Sequence, residues 1–185
     1  KVYDETSLLE QVRDFLMINT TDSIYPFTIP VEYPKVGEPP SPYRIGVAEL
    51  ATGKTQWMDI PGDPRNTYLP RMEWAASADE LLVQQLNRKQ NESQLMLCNT
   101  RTGQTRTIFT ETDDAWIDLK EDGVYGYWDW IQDGVSFLWV SEKDGWRHLY
   151  RITRDGKSET LLTPGNYDMI SLTRIDEPGG YFYFM

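Results

Sequence analysis

The chain has 185 residues, enough for one domain with its own core, and carries a formal net charge of -11 with a pI near 4.5. So acidic a surface repels phosphate backbones and anionic headgroups, which argues against nucleic acid and membrane surfaces as partners. No apolar run approaches the length of a membrane span, and one cysteine, Cys98, leaves no internal disulfide.

Residues 7–19 read two ways. Leu8, Leu9, Val12, Phe15 and Leu16 fall on one helical face, and Phe15 to Ile18 suits a strand equally well. Residues 20–42 then hold Pro26, Pro30, Pro34, Pro39, Pro40 and Pro42. That density excludes a helix and an interior strand. Ile29 to Gly37 is therefore expected as an extended edge arm ending in a turn. Tyr43 to Leu50 alternates as a strand, Thr52-Gly53 turns the chain, and Thr55 to Ile60 returns it, a hairpin by composition.

The central stretch follows. Tyr68 to Trp74 and Leu81 to Leu86 read as strands joined by the polar segment Ala75 to Glu80. Leu95 to Cys98 is a short apolar strand, Thr102-Gly103 a turn, and Thr105 to Phe109 a Thr-rich strand. Four consecutive strands with tight connections make an up-and-down sheet. Beyond Asp113-Asp114 and Trp116 the pattern recurs, with strands expected at Tyr125 to Ile131, Val135 to Ser141, Arg147 to Thr153 and Glu159 to Thr163. Gly134, Gly145 and Gly156 mark their turns. Met169 to Ile175 and Tyr181 to Met185 open a further unit.

The turn Thr52-Gly-Lys-Thr55 returns as Thr102-Gly-Gln-Thr105 and as Asp155-Gly-Lys-Ser158, at a spacing of about 50 residues. Four short strands per repeat of that length is the pattern of a β-propeller blade. A β-sandwich with coincidental turns is the alternative, and the turn density excludes a helical solenoid. The fold class is thus all-β, a partial β-propeller of four-stranded antiparallel blades. Residues 1–62 are expected to end one blade and carry the Pro-rich arm. Residues 63–112 form a second blade, 113–166 a third, and 167–185 the start of a fourth. The chain stops inside an apolar strand, so an excised piece of a longer chain is expected. An open row of blades leaves apolar flanks uncovered, so self-association or marginal stability is expected of it in isolation.

Catalytic chemistry is hard to assemble from these residues. His148 is the one histidine, it lies mid-strand, and no Gly-x-Ser-x-Gly elbow occurs, so it reads as structural or surface. One His and one Cys cannot make a zinc tetrad, and no metal or cofactor is expected. Cys98 reads as a small buried hydrophobe. Asp113-Asp114 and Glu121-Asp122 read as solvated loop charges, since sequence neighbours on a strand face opposite ways. Asn19-Thr-Thr21 and Asn91-Glu-Ser93 match the glycosylation pattern. Trp116, Trp128 and Trp130 line a pocket or wedge between blades; burial of large aromatic area favours the wedge.

Three stretches carry a family resemblance: Val31-Glu-Tyr-Pro-Lys-Val-Gly37 with Tyr43 to Val47; Tyr68-Leu-Pro-Arg-Met-Glu-Trp-Ala75 with Gln85 to Asn91; and Phe137 to Tyr150. In this order and spacing they resemble the N-terminal β-propeller region of dipeptidyl peptidase IV, in the prolyl oligopeptidase clan of serine peptidases, most like its bacterial, periplasmic members. The resemblance implies an eight-bladed propeller joined to an α/β-hydrolase domain of the same chain, usually in a homodimer. It implies removal of N-terminal dipeptides with Pro or Ala second, and a peptide as the substrate. It places the catalytic Ser, Asp and His, and the Glu pair that holds the substrate's amino terminus, outside these residues. The family's pocket Arg follows the position of Trp116, here a candidate for the pocket rim. Ile117 to Asp122 contains no Arg, so the chain departs from the family's pattern at that contact. The propeller would gate access and recognise substrate, inactive by itself. A non-enzymatic propeller module that binds protein or glycan is the reading from another class.

Overall fold

The computed structural model describes residues 2–3, 14–33, 35–38, 41–119 and 128–185. Every sheet in this part of the chain is antiparallel. β1 (Val2–Tyr3), β4 (Ile45–Ala48) and β5 (Thr55–Trp57) form a three-stranded sheet. Between β1 and β4 a separate hairpin stands out, β2 (Asp14–Asn19) with β3 (Phe27–Glu32). A four-stranded sheet follows, β6 (Thr67–Trp74), β7 (Glu80–Asn87), β8 (Glu92–Asn99) and β9 (Thr105–Thr112), paired in sequence order. The next sheet repeats this order with β10 (Trp128–Ile131), β11 (Ser136–Ser141), β12 (His148–Thr153) and β13 (Glu159–Leu161). β14 (Leu172–Asp176) and β15 (Tyr181–Phe184) begin another.

The all-β, meandering reading of the sequence therefore holds. Of the ambiguous segment 7–19, the strand reading holds for β2, and residues 7–13 lie outside the described residues. Pro30 sits in β3, an edge strand, and Pro70 sits where the β6–β7 register slips between Tyr68 and Arg71. A residue without an N–H is tolerated at such positions. Residues 125–127 of the expected strand at 125–131, and Glu121-Asp122, are outside the described residues.

The two four-stranded sheets face each other across the main core. Leu82, Leu95, Leu97 and Ile108 of the first sheet meet Trp128, Phe137, Trp139, Tyr150 and Ile152 of the second. A second cluster joins Ile45 and Met58 to Leu81, Val83 and Cys98, and a third joins Leu138 and Leu149 to Met169 and Leu172. Each of these two sheets is thus covered on both faces, so β7 and β8 carry unbroken apolar stretches at residues 81–83 and 95–98. The repeated turn makes a repeated joint. Gly53, Gly103 and Gly156 have φ of +70°, +80° and +71°, a region that favours glycine. A side chain on Gly103 would strike the Trp57 carbonyl, and one on Gly156 the Ile108 carbonyl, so each turn seats on the sheet before it. The Asp59 N–H also donates to the Gly103 carbonyl at 2.8 Å.

Candidate functional site

Trp116 is set by the loop that follows β9. Asp113 Oδ1 accepts the Ala115 and Trp116 N–H groups at 2.7 and 3.0 Å, and these bonds hold its carboxyl below the usual range. The turn leaves the Trp116 ring 55% exposed at the edge of a cleft lined by Glu111, Asp113, Trp139, Ser141 and Arg147. Behind the ring the cleft floor is fixed. Glu111 is buried on β9 and accepts from Trp139 Nε1 at 2.6 Å and from Ser141 Oγ at 2.7 Å, both across the seam. Both carboxylate oxygens are occupied, so Glu111 is a structural acceptor here rather than a free base.

Trp128 and Trp130 lie apart from that cleft. Trp128 is 1% exposed, stacks on Trp139 at 6.2 Å, and donates Nε1–H to Glu73 Oε2 at 3.0 Å. Arg71 pairs with Glu73 and lies 4.8 Å over the Trp128 ring. Trp130 meets Phe137 edge-on at 5.3 Å, under the Arg154 guanidinium at 4.7 Å. Arg154 donates to the Ala75 and Gly134 carbonyls and to Glu80. These two tryptophans wedge the seam; Trp116 alone of the three stands at a surface cleft.

His148 is buried on β12. Its Nδ1 bonds Asp144 Oδ2 at 2.8 Å, its ring meets Tyr167 edge-on, and Nε2 has no partner among the described residues. Burial pushes the Asp144 carboxyl up, but hydrogen bonds from His148, the Trp146 N–H and Tyr150 outweigh it and hold it below its usual value. This pair ties a turn to a strand and presents no imidazole to a serine. Cys98 is buried in the second cluster, and burial raises its thiol pKa, which makes it unreactive. Among the described residues no three His, Cys, Asp or Glu side chains stand together as a metal site, and no helix is long and apolar enough to cross a membrane. Asn19 and Asn91 both serve turns: Asn19 Oδ1 accepts the Thr21 and Asp22 N–H groups, and Asn91 Oδ1 accepts from Asn87 Nδ2.

The model of the family described as "Dipeptidyl peptidase IV (DPP IV) N-terminal region" matches residues 9–185. The chain belongs to this family. Among its relatives is a probable dipeptidyl peptidase 4 of Emericella nidulans, 26% identical over 87% of this chain and 22% of the relative. Another is the inactive dipeptidyl peptidase 10 of Mus musculus, 30% identical over 92% of this chain and 24% of the relative. The chain therefore spans under a quarter of the length of these curated relatives. The crystal structure of Porphyromonas gingivalis dipeptidyl peptidase 4 superposes with a TM-score of 0.76 at 29% identity, covering 87% of this chain and 22% of that one. A putative dipeptidyl aminopeptidase IV from Bacteroides ovatus gives 0.78 over 98% of this chain and 27% of that one, and its 22% identity speaks for the fold. In this chain that region is a row of antiparallel sheets, the main seam closed by Trp128 on Glu73 and Trp139 on Glu111, with Trp116 at a cleft beside it.

Sequence reasoning missed the carboxylates that close the seam. The sequence alone assigns Glu73 and Glu111 no role, and Glu80 only ends the polar segment Ala75 to Glu80. A signal existed for one half-buried acid: Asp129 sits between Trp128 and Trp130 in a strand with no other charge.

Proposed function

We propose that this chain is the propeller region of a serine exopeptidase that removes N-terminal X-Pro or X-Ala dipeptides. In this reading it admits and orients the peptide, and the bond is cut by an α/β-hydrolase domain of the same protein. The observation that carries it is the family match over residues 9–185. The buried His148, which meets no nucleophile among the described residues, agrees with chemistry located elsewhere. Trp116 then belongs to the rim of the substrate path, where an exposed aromatic beside a carboxylate-lined cleft suits a peptide with a free ammonium terminus. The protein resides in the bacterial periplasm and works as a homodimer. The β2–β3 hairpin, with its exposed apolar side chains, is the surface that supports the dimer.

The test is hydrolysis of a Gly-Pro chromogenic amide by the full-length protein, with residues 1–185 alone as the control. Activity in the first and none in the second is the expected result. A second reading rests on two relatives being named inactive dipeptidyl peptidase 10: the same propeller serving as a binding module for protein or glycan. A full-length protein inert toward Gly-Pro and Ala-Ala amides, and lacking a Gly-x-Ser-x-Gly elbow, selects that reading.

A further inference from the structure

Arg147 stands just before β12 and lines the same cleft as Trp116. Its backbone is fixed on both sides. The N–H donates to Asp168 Oδ1 at 2.8 Å, and the carbonyl accepts the Met169 N–H at 2.7 Å. The side chain is half-buried, its Nε is enclosed, and its guanidinium has no hydrogen bond or ion pair among the described residues. Two other half-buried arginines are matched: Arg71 pairs with Glu73, and Arg154 with Glu80. An enclosed donor without an acceptor costs free energy, and a guanidinium cannot relieve that by losing its proton. The acids of the cleft do not supply the acceptor. Both oxygens of Glu111 are taken by Trp139 and Ser141, Asp113 Oδ1 by its own loop, and Asp118 has a partner of its own. Glu142 stands exposed on the loop before Arg147. Lys143, the other cation of the lining, is held by Glu159. An acid-lined cleft therefore holds one uncommitted cation, at the same opening as an exposed indole.

We propose that Arg147 is a subsite for a carboxylate of the bound peptide and gives the Trp116 cleft a preference for acidic peptides. A guanidinium is a planar fork of N–H donors that matches the two oxygens of a carboxylate, and such a charge-assisted pair is stronger than a neutral hydrogen bond. The backbone bonds to Asp168 and Met169 hold the residue in place before the ligand arrives, so little ordering remains to be done on binding. The carboxylate is an acidic side chain or the terminus of a short peptide; both present the same pair of oxygens. The inference rests on the peptide reading above and adds to it a determinant of selectivity.

The experiment uses the full-length protein with the peptides Gly-Pro-Gly-Gln and Gly-Pro-Gly-Glu, each as the C-terminal amide and as the free acid. They compete with a Gly-Pro chromogenic amide. Acetylated copies, which lack the free amino terminus an exopeptidase needs, are titrated calorimetrically. One carboxylate is expected to tighten binding by about ten-fold over the Gln amide in both readouts. The Glu amide and the Gln free acid separate a side-chain source from a terminal one. In Arg147→Gln the ratio is expected to fall to one; in Arg147→Lys, which keeps the charge without the fork, it is expected to survive in part. A ratio of one for both sources in the parent protein overturns the proposal with no variant needed, and so does a ratio that Arg147→Gln leaves intact. A calorimetric ratio without any hydrolysis strikes the peptidase reading and keeps the carboxylate site. Hydrolysis with a ratio of one strikes the site alone.

Discussion

The β2–β3 hairpin and the pair of four-stranded sheets are built from similar residues and meet opposite fates. Both are rich in Phe, Leu, Met and Ile. In the sheets, Leu82, Leu95 and Ile152 are fully buried. On the hairpin, Leu16, Ile18 and Ile24 are 60%, 70% and 95% exposed. Hydrophobic composition therefore does not decide burial here. The sheets repeat, so each supplies the next with a complementary face. Among the described residues the hairpin has no second layer, and a two-stranded ribbon has nothing of its own to pack against.

The turn glycines give the sharpest break in this comparison. Gly156 and Gly53 occupy the same turn of the third and first units with φ within a degree of each other, but Gly156 presses on the Ile108 carbonyl while Gly53 has open space around it. Gly156→Ala is expected to cost about 4 kcal/mol, because β12–β13 must move off β9 to admit the methyl group. Gly53→Ala carries only the left-handed backbone penalty, about 1 kcal/mol. Denaturant midpoints of the two variants compare them directly. Equal losses would mean that the joint contributes nothing beyond the backbone.

A smaller effect is expected at Glu111. Glu111→Leu keeps an apolar body in the seam and strands two donors, Trp139 Nε1 and Ser141 Oγ. Each buried unpaired donor costs on the order of 1 kcal/mol or more, so a loss of about 2–3 kcal/mol is expected. Adding Trp139→Phe and Ser141→Ala to this variant removes the stranded groups and should recover about 1 kcal/mol, read as a non-additive cycle in the same denaturation experiment.

The parts of this fold that were legible in the sequence are those set by neighbours in the chain. Thr-Gly and Asp-Gly pairs announce the turns, and Leu81 to Leu86 announces a strand. The ends of the strands were less legible. β8 begins at Glu92 and β9 runs on to Thr112 through polar residues, because ladder hydrogen bonds need only backbone. The contacts that close the seam were not legible at all. Glu73 meets Trp128 across 55 residues, and Arg154 meets Glu80 across 74. Nothing local in a strand says which carboxylate will face an indole of the next sheet. The same holds for the cleft. Asp113 as a loop acid was readable, but the buried Glu111 beneath it was visible only once β9 and β11 were placed side by side.

The smallest expected effect on stability is on the hairpin, and it bears most on the comparison. Ile18→Ser and Leu16→Ser alter side chains that touch solvent, so the unfolding midpoint should shift by no more than about 0.5 kcal/mol. The β2–β3 ladder should survive, since all six register pairs from Asp14–Glu32 to Asn19–Phe27 are backbone pairings. If the hairpin serves a dimer, the cost appears instead in association, as a rise in the dissociation constant seen by sedimentation equilibrium of the full-length protein. Each serine removes an apolar side chain of the size whose burial contributes about 1.5–3 kcal/mol, so the pair should weaken association by ten-fold or more. A full loss of stability with unchanged association would place the hairpin's apolar face inside the protein's own fold, and the contrast between the two regions would then be one of missing neighbours rather than of purpose.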